Sequence, residues 1–156
     1  MRDYITNQHE LSVSSTTFEE PKLRYVSRTY DLVRATDGSA GYDLYVDNVD
    51  MSTPPLDRVY GTGVHVQIPE GWVGLVYPRS SSGLKGMKLK NTVGVIDSDY
   101  RGEIMLAIDG WYPDLGEKIA QLVITPCLTL DSERMASLDD LTDTARGDGG
   151  FGSTGG

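Results

Sequence analysis

Apolar and polar residues alternate along many short stretches of this chain, which is the pattern of half-buried β-strands. In the clearest stretch, Val64, Val66 and Ile68 would face a core. His65 lies between them, so it is expected to be an exposed strand residue rather than a catalytic group. The pattern predicts strands within 23–33, 41–46, 63–69, 72–77, 93–96, 104–108, 117–124 and 126–130. These short strands with turn signals between them predict an all-β sandwich or barrel.

The predicted connections are mostly turns, because glycine, proline and aspartate separate the strands. A loop is expected over 48–56, which contains a Pro-Pro pair, and a hairpin is expected over 108–116. The serines that follow Arg79 predict the start of a short helix, since a serine side chain can cap the free N–H groups there. The acidic segment 137–144 is expected to be extended or to form a single turn.

Composition agrees with one β domain. The 156 residues include 18 glycines and 7 prolines and are 38% hydrophobic, which suits strands and turns better than a helical bundle. A net charge of −9 argues against binding nucleic acid, whose recognition needs a basic surface. Cys127 stands alone, which excludes an internal disulfide. With no apolar run of membrane length and no secretory pattern at the start, we expect a soluble, cytoplasmic protein without a membrane partner.

Asp43 interrupts the apolar strand predicted over 41–46. Aspartate is depleted in strands, and its carboxylate is costly to bury without a partner. Either this face of the strand is solvated or Asp43 has a cationic partner.

The stretch 94–103 carries the densest candidate chemistry. It begins as an apolar strand, continues through Asp97, Asp99, Tyr100 and Arg101, and then enters another apolar run. Taken alone, this pattern favours a tight turn. It also places carboxylates, an aromatic ring and a guanidinium on a loop between two strands. Catalytic groups are commonly found on loops that a rigid scaffold holds.

A local basic segment contrasts with the acidic balance of the chain. Arg79, Lys85, Lys88 and Lys90 lie within one short stretch that also contains three serines. Guanidinium and hydroxyl groups donate hydrogen bonds to phosphate oxygens. The segment therefore suits a small anionic ligand better than a polymer, and a solvated loop is the alternative.

The two ends of the chain differ from its middle. Residues 1–21 are polar and are expected to form a flexible extension. At the other end, 146–156 is rich in glycine and contains a single large apolar side chain, Phe151. Ordering ten such residues costs on the order of 10–20 kcal/mol of backbone entropy. We therefore expect a ligand or a neighbouring subunit to order this arm.

Five separated stretches together resemble the five ordered motifs of the homotrimeric dUTPases. They are Ala-Gly-Tyr-Asp-Leu at 40–44, Pro-Arg-Ser-Ser at 78–81, Gly-Val-Ile-Asp-Ser-Asp-Tyr-Arg-Gly at 94–102, Gly-Glu-Lys-Ile-Ala-Gln at 116–121 and the glycine-rich run at 146–155. The resemblance covers the chain from about residue 22 onward. It implies a jelly-roll-like (β-clip) domain over 22–145, a homotrimer with active sites at subunit interfaces, and an arm at 146–156 that closes over a site.

The implied reaction is hydrolysis of dUTP to dUMP and pyrophosphate, which keeps uracil out of DNA and supplies dUMP for thymidylate synthesis. Mg²⁺ would be bound through the triphosphate rather than by protein ligands. By position in the motifs, Asp97 would deprotonate the water that attacks the α-phosphorus. Aspartate is ordinarily ionised at neutral pH, as a base must be.

The same resemblance implies the substrate contacts. Uracil would be bordered by Asn91, Val95, Ile96 and Met105, and deoxyribose by Tyr100. Phosphates would be held by Arg79, Ser80, Ser81 and Gln121, with Asp43 as the partner that Arg79 needs. From the arm, Phe151 would stack on the base, Arg146, Ser153 and Thr154 would bind the γ-phosphate, and Gly152 would also contact the substrate.

Two departures and two alternatives accompany the resemblance. The segment 108–116 is shorter than the family's usual hairpin, and residues 1–21 have no counterpart in the motifs. A dCTP deaminase on the same fold is the first alternative, although the Asp-Ser-Asp-Tyr reading and the complete arm favour a dUTPase. A regulatory protein that uses the fold only to bind a partner is the second, because fold alone does not decide function.

Overall fold

The computed structural model describes residues 20–50 and 58–149. The strands are β1 Arg24–Ser27, β2 Gly41–Tyr45, β3 Asn48–Asp50, β4 Val59–Gln67, β5 Trp72–Pro78, β6 Lys88–Leu89, β7 Gly94–Ile96, β8 Glu103–Asp109 and β9 Lys118–Pro126. A short helix, α1, spans Ser80–Leu84, and a 3₁₀ turn spans Leu138–Asp140. In these parts of the chain, no helix has the length and apolar character that a membrane span would need.

The strands form two antiparallel sheets. One has the order β1-β4-β8-β6, with β3 also paired to β4, and the other has the order β2-β9-β5-β7. These two sheets confirm the all-β prediction. The 3₁₀ turn confirms the single turn expected in 137–144, and its Ser137 and Asp140 side chains form a reciprocal capping box.

The core lies between the sheets and follows the predicted alternation. Val64, Val66 and Ile68 are each 2% exposed, whereas His65 is only partly buried. The remaining buried apolar residues of the cluster come mainly from β2, β8 and β9 and include Leu44, Ile104, Ile108, Ile119 and Leu122. The apolar run 104–108 thus faces the core through alternate residues, as a sheet with one buried face requires.

One segment expected to be a loop begins with a strand. Residues Asn48–Asp50 form β3, which pairs antiparallel with Val59–Gly61 of β4. Asparagine and aspartate disfavour strands by propensity. The backbone hydrogen bonds that β4 offers outweigh that local preference, so this part of the loop prediction was wrong.

The hairpin predicted over 108–116 is also wrong. β8 pairs with β4 and β6, whereas β9 pairs with β2 and β5, so the connection crosses from one sheet to the other. Trp111 packs against the core, with Lys85 Nζ 4.0 Å from its ring centroid. At the far end, the Gly116 N–H donates to the Val46 carbonyl at 2.8 Å. These contacts hold the crossing in place without a tight turn.

The strand predicted at 126–130 does not form. β9 instead continues to Pro126, where the missing N–H ends its ladder. Leu128 and Leu130 are 85% and 80% exposed. An extended segment needs a neighbouring strand to become part of a sheet, and the described residues offer none here.

Candidate active site

A cavity of about 220 Å³ opens where the two sheets meet. Its lining includes six of the residues singled out in the sequence, namely Asn91, Val95, Ile96, Asp97, Tyr100 and Met105. Val76, Leu89, Ile104 and Leu106 add apolar walls, and Glu103 also contributes to the lining. Such a concave pocket, in which polar groups converge beside apolar side chains, is typical of a small-molecule site.

Strand β7 positions Asp97. Its residues Gly94–Ile96 pair with Val76, Leu75 and Gly74 of β5, and Asp97 follows directly as the chain leaves the sheet. The Tyr100 N–H donates to the Asp97 carbonyl at 3.2 Å and closes a turn. The carboxylate of Asp97 is therefore exposed to the cavity while its backbone is held by a sheet on one side and a turn on the other.

The Arg101 side chain stabilises that turn by hydrogen bonds to its backbone. Its Nη1 donates to the Ser98 carbonyl at 2.7 Å and to the Tyr100 carbonyl at 2.8 Å. The Arg101 carbonyl in turn lies 3.0 Å from Nδ1 of His65 on β4. Sequence reasoning placed Arg101 in the polar stretch without giving it a task. Here its guanidinium bonds to the loop's own carbonyls.

The segment before β7 is strained. Thr92, next to Asn91, has φ 65°, a left-handed conformation that β-branched residues rarely adopt. The Thr92 N–H donates to the Leu89 carbonyl at 2.9 Å, and the Val93 N–H donates to the Asn91 carbonyl at 2.7 Å. These bonds hold the strained turn that places Asn91 at the cavity. Strain of this kind is concentrated at ligand sites.

A second cavity, of about 280 Å³, collects a different group of the predicted residues. Its lining includes Asp43, Arg79, Ser80 and Gln121. Gly41 makes room for Gln121, since a Cβ there would lie 2.7 Å from Gln121 Oε1. This cavity shares no lining residue with the first.

Asp43 is 6% exposed, and its carboxylate forms ion pairs with two cationic side chains rather than one. Arg79 Nε lies 3.2 Å from Oδ1, and Lys118 Nζ donates to Oδ2 at 2.9 Å. The Asp43 carboxylate, followed by the Tyr45 side chain, raises the pKa of Lys118 above its usual value. The contact with Asp43 is made through Nε, and the two NH₂ groups of Arg79 provide four further N–H donors for an anion.

Lys118 is a site residue that sequence reasoning missed. The signal was present, because a buried aspartate needs compensation on both oxygens, and the motif at 116–121 contains a lysine. Strand alternation alone did not reveal it. A register shift between Leu44 and Tyr45 is what sets Lys118 beside this face of β2.

The remaining predictions concern the start of α1, Ser81 and the C-terminal arm. Arg79 itself is the N-cap of α1 and no side chain caps the helix, so the expected serine cap is wrong and the serines occupy its first turn instead. Ser81 is exposed there but does not line the second cavity. Arg146 lies in the tail, where its Nε donates to the Gly149 carbonyl at 2.9 Å. Phe151, Gly152, Ser153 and Thr154 lie outside the described residues.

A polar cluster lies beside the first cavity and joins β3, β4 and β8. Arg28 binds the Asp47 carboxylate at 2.6 Å and the Glu103 carboxylate at 3.1 Å. Glu103 also accepts hydrogen bonds from the Gly63 N–H at 2.8 Å and the Asn48 amide at 3.2 Å. We call these five residues the Glu103 cluster. Within the described ranges, no group of three or more His, Cys, Asp or Glu side chains forms a metal site, here or elsewhere.

The Glu103 cluster makes stability depend on pH. A hydrogen bond with Thr29 lowers the pKa of Asp47 below its usual 3.8, and Asn48 and Arg28 add to the shift although burial opposes it. Because the folded-state pKa is the lower one, the ionised carboxylate stabilises the fold above the unfolded value. That contribution is lost as the pH falls through the folded value.

We expect Asp47→Asn to lower the free energy of unfolding by about 1–3 kcal/mol at neutral pH. At about pH 3 the loss should shrink, because the wild-type carboxylate is then partly protonated in the unfolded chain. Urea titrations at matched protein concentration measure both values. Asp31→Asn, at an exposed position, is the control. An equal loss at both pH values would contradict the linkage.

The fold is that of solved phage dUTPases. The structure of the Staphylococcus bacteriophage 80alpha dUTPase with dUpNHpp aligns with a TM-score of 0.67 at 24% identity, covering 86% of this chain and 98% of that one. A mutant dUTPase from phage phi11 of S. aureus, described with a structural Mg(II) ion, aligns with a TM-score of 0.57 at 24% identity, covering 76% of this chain and 99% of that one.

Sequence similarity extends the comparison. The chain is 40% identical over 129 residues to the deoxyuridine 5'-triphosphate nucleotidohydrolase of Corynebacterium jeikeium (strain K411), covering 78% of this chain and 83% of that one. It is 43% identical over 133 residues to the enzyme of the same name from Mycobacterium marinum, covering 79% and 86%. The family model for dUTPase matches residues 28–155. The chain therefore belongs to the dUTPase family.

Proposed function

We propose that this protein hydrolyses dUTP to dUMP and pyrophosphate, with Asp97 activating the attacking water. The observation that carries the proposal is the first cavity, which brings Asp97 together with the residues assigned to uracil and deoxyribose. Family membership supports the substrate, because the curated relatives are named for this reaction.

In the proposed step, the Asp97 carboxylate accepts a proton from a water whose oxygen bonds to the α-phosphorus. The bond between the α-phosphorus and the oxygen that bridges to the β-phosphorus breaks, and pyrophosphate leaves with that oxygen. An exposed aspartate is a weak base, so the driving force for proton transfer is small. Placement of the water and stabilisation of phosphate charge must therefore supply most of the acceleration. The rigid mounting of Asp97 on β7 and its turn suits that demand.

The cavity also offers a basis for selecting the nucleoside. Val95 and Ile96 present strand backbone, which can form hydrogen bonds with the edge of a uracil, and Asn91 adds an amide at the strained turn. Met105 borders the same space from β8. Tyr100 would lie against the sugar and leave no room for a 2′-hydroxyl.

The residues proposed to bind phosphate lie far along β5 from Asp97 of the same chain. Ile96 pairs with Gly74, so Asp97 lies level with Val73 near the start of β5, whereas Arg79 follows the end of that strand. About six residues at roughly 3.3 Å each separate the two levels by about 20 Å. The β- and γ-phosphates lie next to the α-phosphorus, not at that distance. We propose that each active site combines the first cavity of one subunit with the second cavity of another, in a homotrimer.

In that arrangement, Arg79, Ser80 and Gln121 would bind phosphate oxygens, with Ser81 beside them. Mg²⁺, bound through the triphosphate, would neutralise charge on the phosphates. The arm at 146–156 would then close over the nucleotide and exclude water, as mobile segments do in other enzymes. Residues 1–21 remain predicted to be an extension outside the catalytic domain.

The activity is tested by measuring pyrophosphate release from dUTP, dTTP, UTP and dCTP with Mg²⁺ present. We expect turnover of dUTP, and at least hundredfold lower kcat/KM for the other three, because a site with fitted polar contacts rejects mismatched groups strongly. Ammonia release from dCTP would favour the deaminase alternative instead. Failure to hydrolyse dUTP would overturn the proposed function.

A further inference from the structure

We propose that Gly102 and Glu103 are positioning residues that fix the Tyr100 ring and thereby set the preference for deoxyribose over ribose. The inference rests on the proposed function, in which Tyr100 borders the sugar. It adds two residues to which neither the motif assignments nor the comparisons give a task.

Gly102 provides the surface on which the tyrosine lies. A Cβ built on Gly102 would overlap the Tyr100 hydroxyl and would lie 2.9 Å from ring atom Cε2. Real Cβ atoms do not approach other atoms so closely. The ring therefore folds back across its own loop because residue 102 has no side chain.

The hydroxyl end of the ring is held by β8. Tyr100 Oη donates to the Glu103 carbonyl at 3.0 Å. The backbone end is held by the turn to Asp97. With both ends fixed, the ring can present one edge to the cavity at a constant depth. Tyr100 lines that cavity and is 41% exposed overall.

The Glu103 side chain anchors the strand end that carries this carbonyl. Its carboxylate accepts from the Gly63 N–H, the Asn48 amide and the Arg28 guanidinium. These bonds cross the irregular part of β4, where the pairing with β8 shifts register between Gly61 and His65. Without the carboxylate, the first residue of β8 would keep its pairing with His65 but lose these side-chain bonds, next to the place where the pairing with β4 is irregular.

The consequence is a selectivity that depends on a small displacement. A 2′-hydroxyl adds one oxygen to the sugar, so a ring that moves back by about an ångström would admit it. Misplacement on that scale changes rates by up to about hundredfold. Loss of either positioning residue should therefore affect dUTP and UTP unequally.

The test measures kcat/KM for dUTP and UTP in Gly102→Ala, Glu103→Ala, Glu103→Gln and Tyr100→Phe. We expect the dUTP-to-UTP ratio to fall at least about tenfold in Gly102→Ala and Glu103→Ala. Glu103→Gln should keep the ratio within about threefold, because its amide oxygen still accepts from Gly63 and Asn48. Tyr100→Phe keeps the ring but loses the hydroxyl bond, so its ratio should fall by an intermediate amount. Gly38→Ala is the control, since a Cβ there meets nothing within 4 Å.

The outcomes separate this inference from the proposed function. If the wild-type protein hydrolyses dUTP and the variants lose activity on both nucleotides in equal proportion, the positioning role is wrong although the function stands. If Gly102→Ala does not fold, the dUTP-to-UTP ratios of Glu103→Ala and Tyr100→Phe test the positioning role in the same way. A ratio that falls in these variants and returns in Glu103→Gln supports the inference. A Glu103→Gln ratio as low as that of Glu103→Ala would overturn the assigned role of its carboxylate.

Discussion

Asp97→Asn is expected to bind dUTP with nearly unchanged affinity and to lose about 10²–10⁴-fold in kcat. The amide matches the carboxylate in size but cannot take a proton from the attacking water. The backbone of Asp97 is held by β7 and by the hydrogen bond from the Tyr100 N–H, so the substitution leaves the cavity in place. Single-turnover pyrophosphate release, together with titration of a non-hydrolysable dUTP analogue, separates catalysis from binding.

The matched control for this prediction is Asp99→Asn. Asp99 lies two residues away, is exposed, and does not line the cavity, so the variant makes the same change in net charge without touching the proposed base. Its kcat should stay within about threefold of wild type, because exposed charges interact weakly. An Asp97→Asn enzyme that turns over at the Asp99→Asn rate would show that another group activates the water.

Sequence patterns predicted the strands well where one face is buried, because alternation then reports the fold directly. Val64, Val66 and Ile68 are the clearest case. The errors concern which strands become neighbours. The crossing at 108–116 contains the turn residues of a hairpin, yet β8 and β9 belong to different sheets. The residues of a turn do not determine which of two sheets the following strand will join.

The candidate site was predictable to a similar extent. The resemblance to the family's motifs predicts roles for Asp97, Tyr100 and Arg79, and the structure groups most of the predicted residues around two cavities. What the sequence could not supply were contacts across strands, such as Lys118 with Asp43 or the ring of Tyr100 over Gly102. These depend on a register shift and on a folded-back side chain. Neither leaves a periodic signal in the sequence.

The separation of the two cavities leads to the second large prediction, that two inactive variants will restore activity when mixed. Asp97→Asn removes the proposed base, and Arg79→Ala removes a phosphate contact, which should lower kcat/KM by roughly a hundredfold. If every site takes Asp97 from one subunit and Arg79 from another, mixed trimers contain some sites in which both are intact. Random assortment of equal amounts makes about one site in four complete. Activity should therefore rise to about a quarter of the wild-type value when the two chains are co-refolded.

The control is each variant refolded alone by the same procedure, and the measurement is dUTP turnover per subunit. Were Asp97 and Arg79 to act within one chain, no mixed trimer would hold an intact pair, and activity would stay at the average of the two variants. The distance of about 20 Å between their levels on β5 argues against that result. Restored turnover would therefore support the proposal that each active site is shared between two subunits.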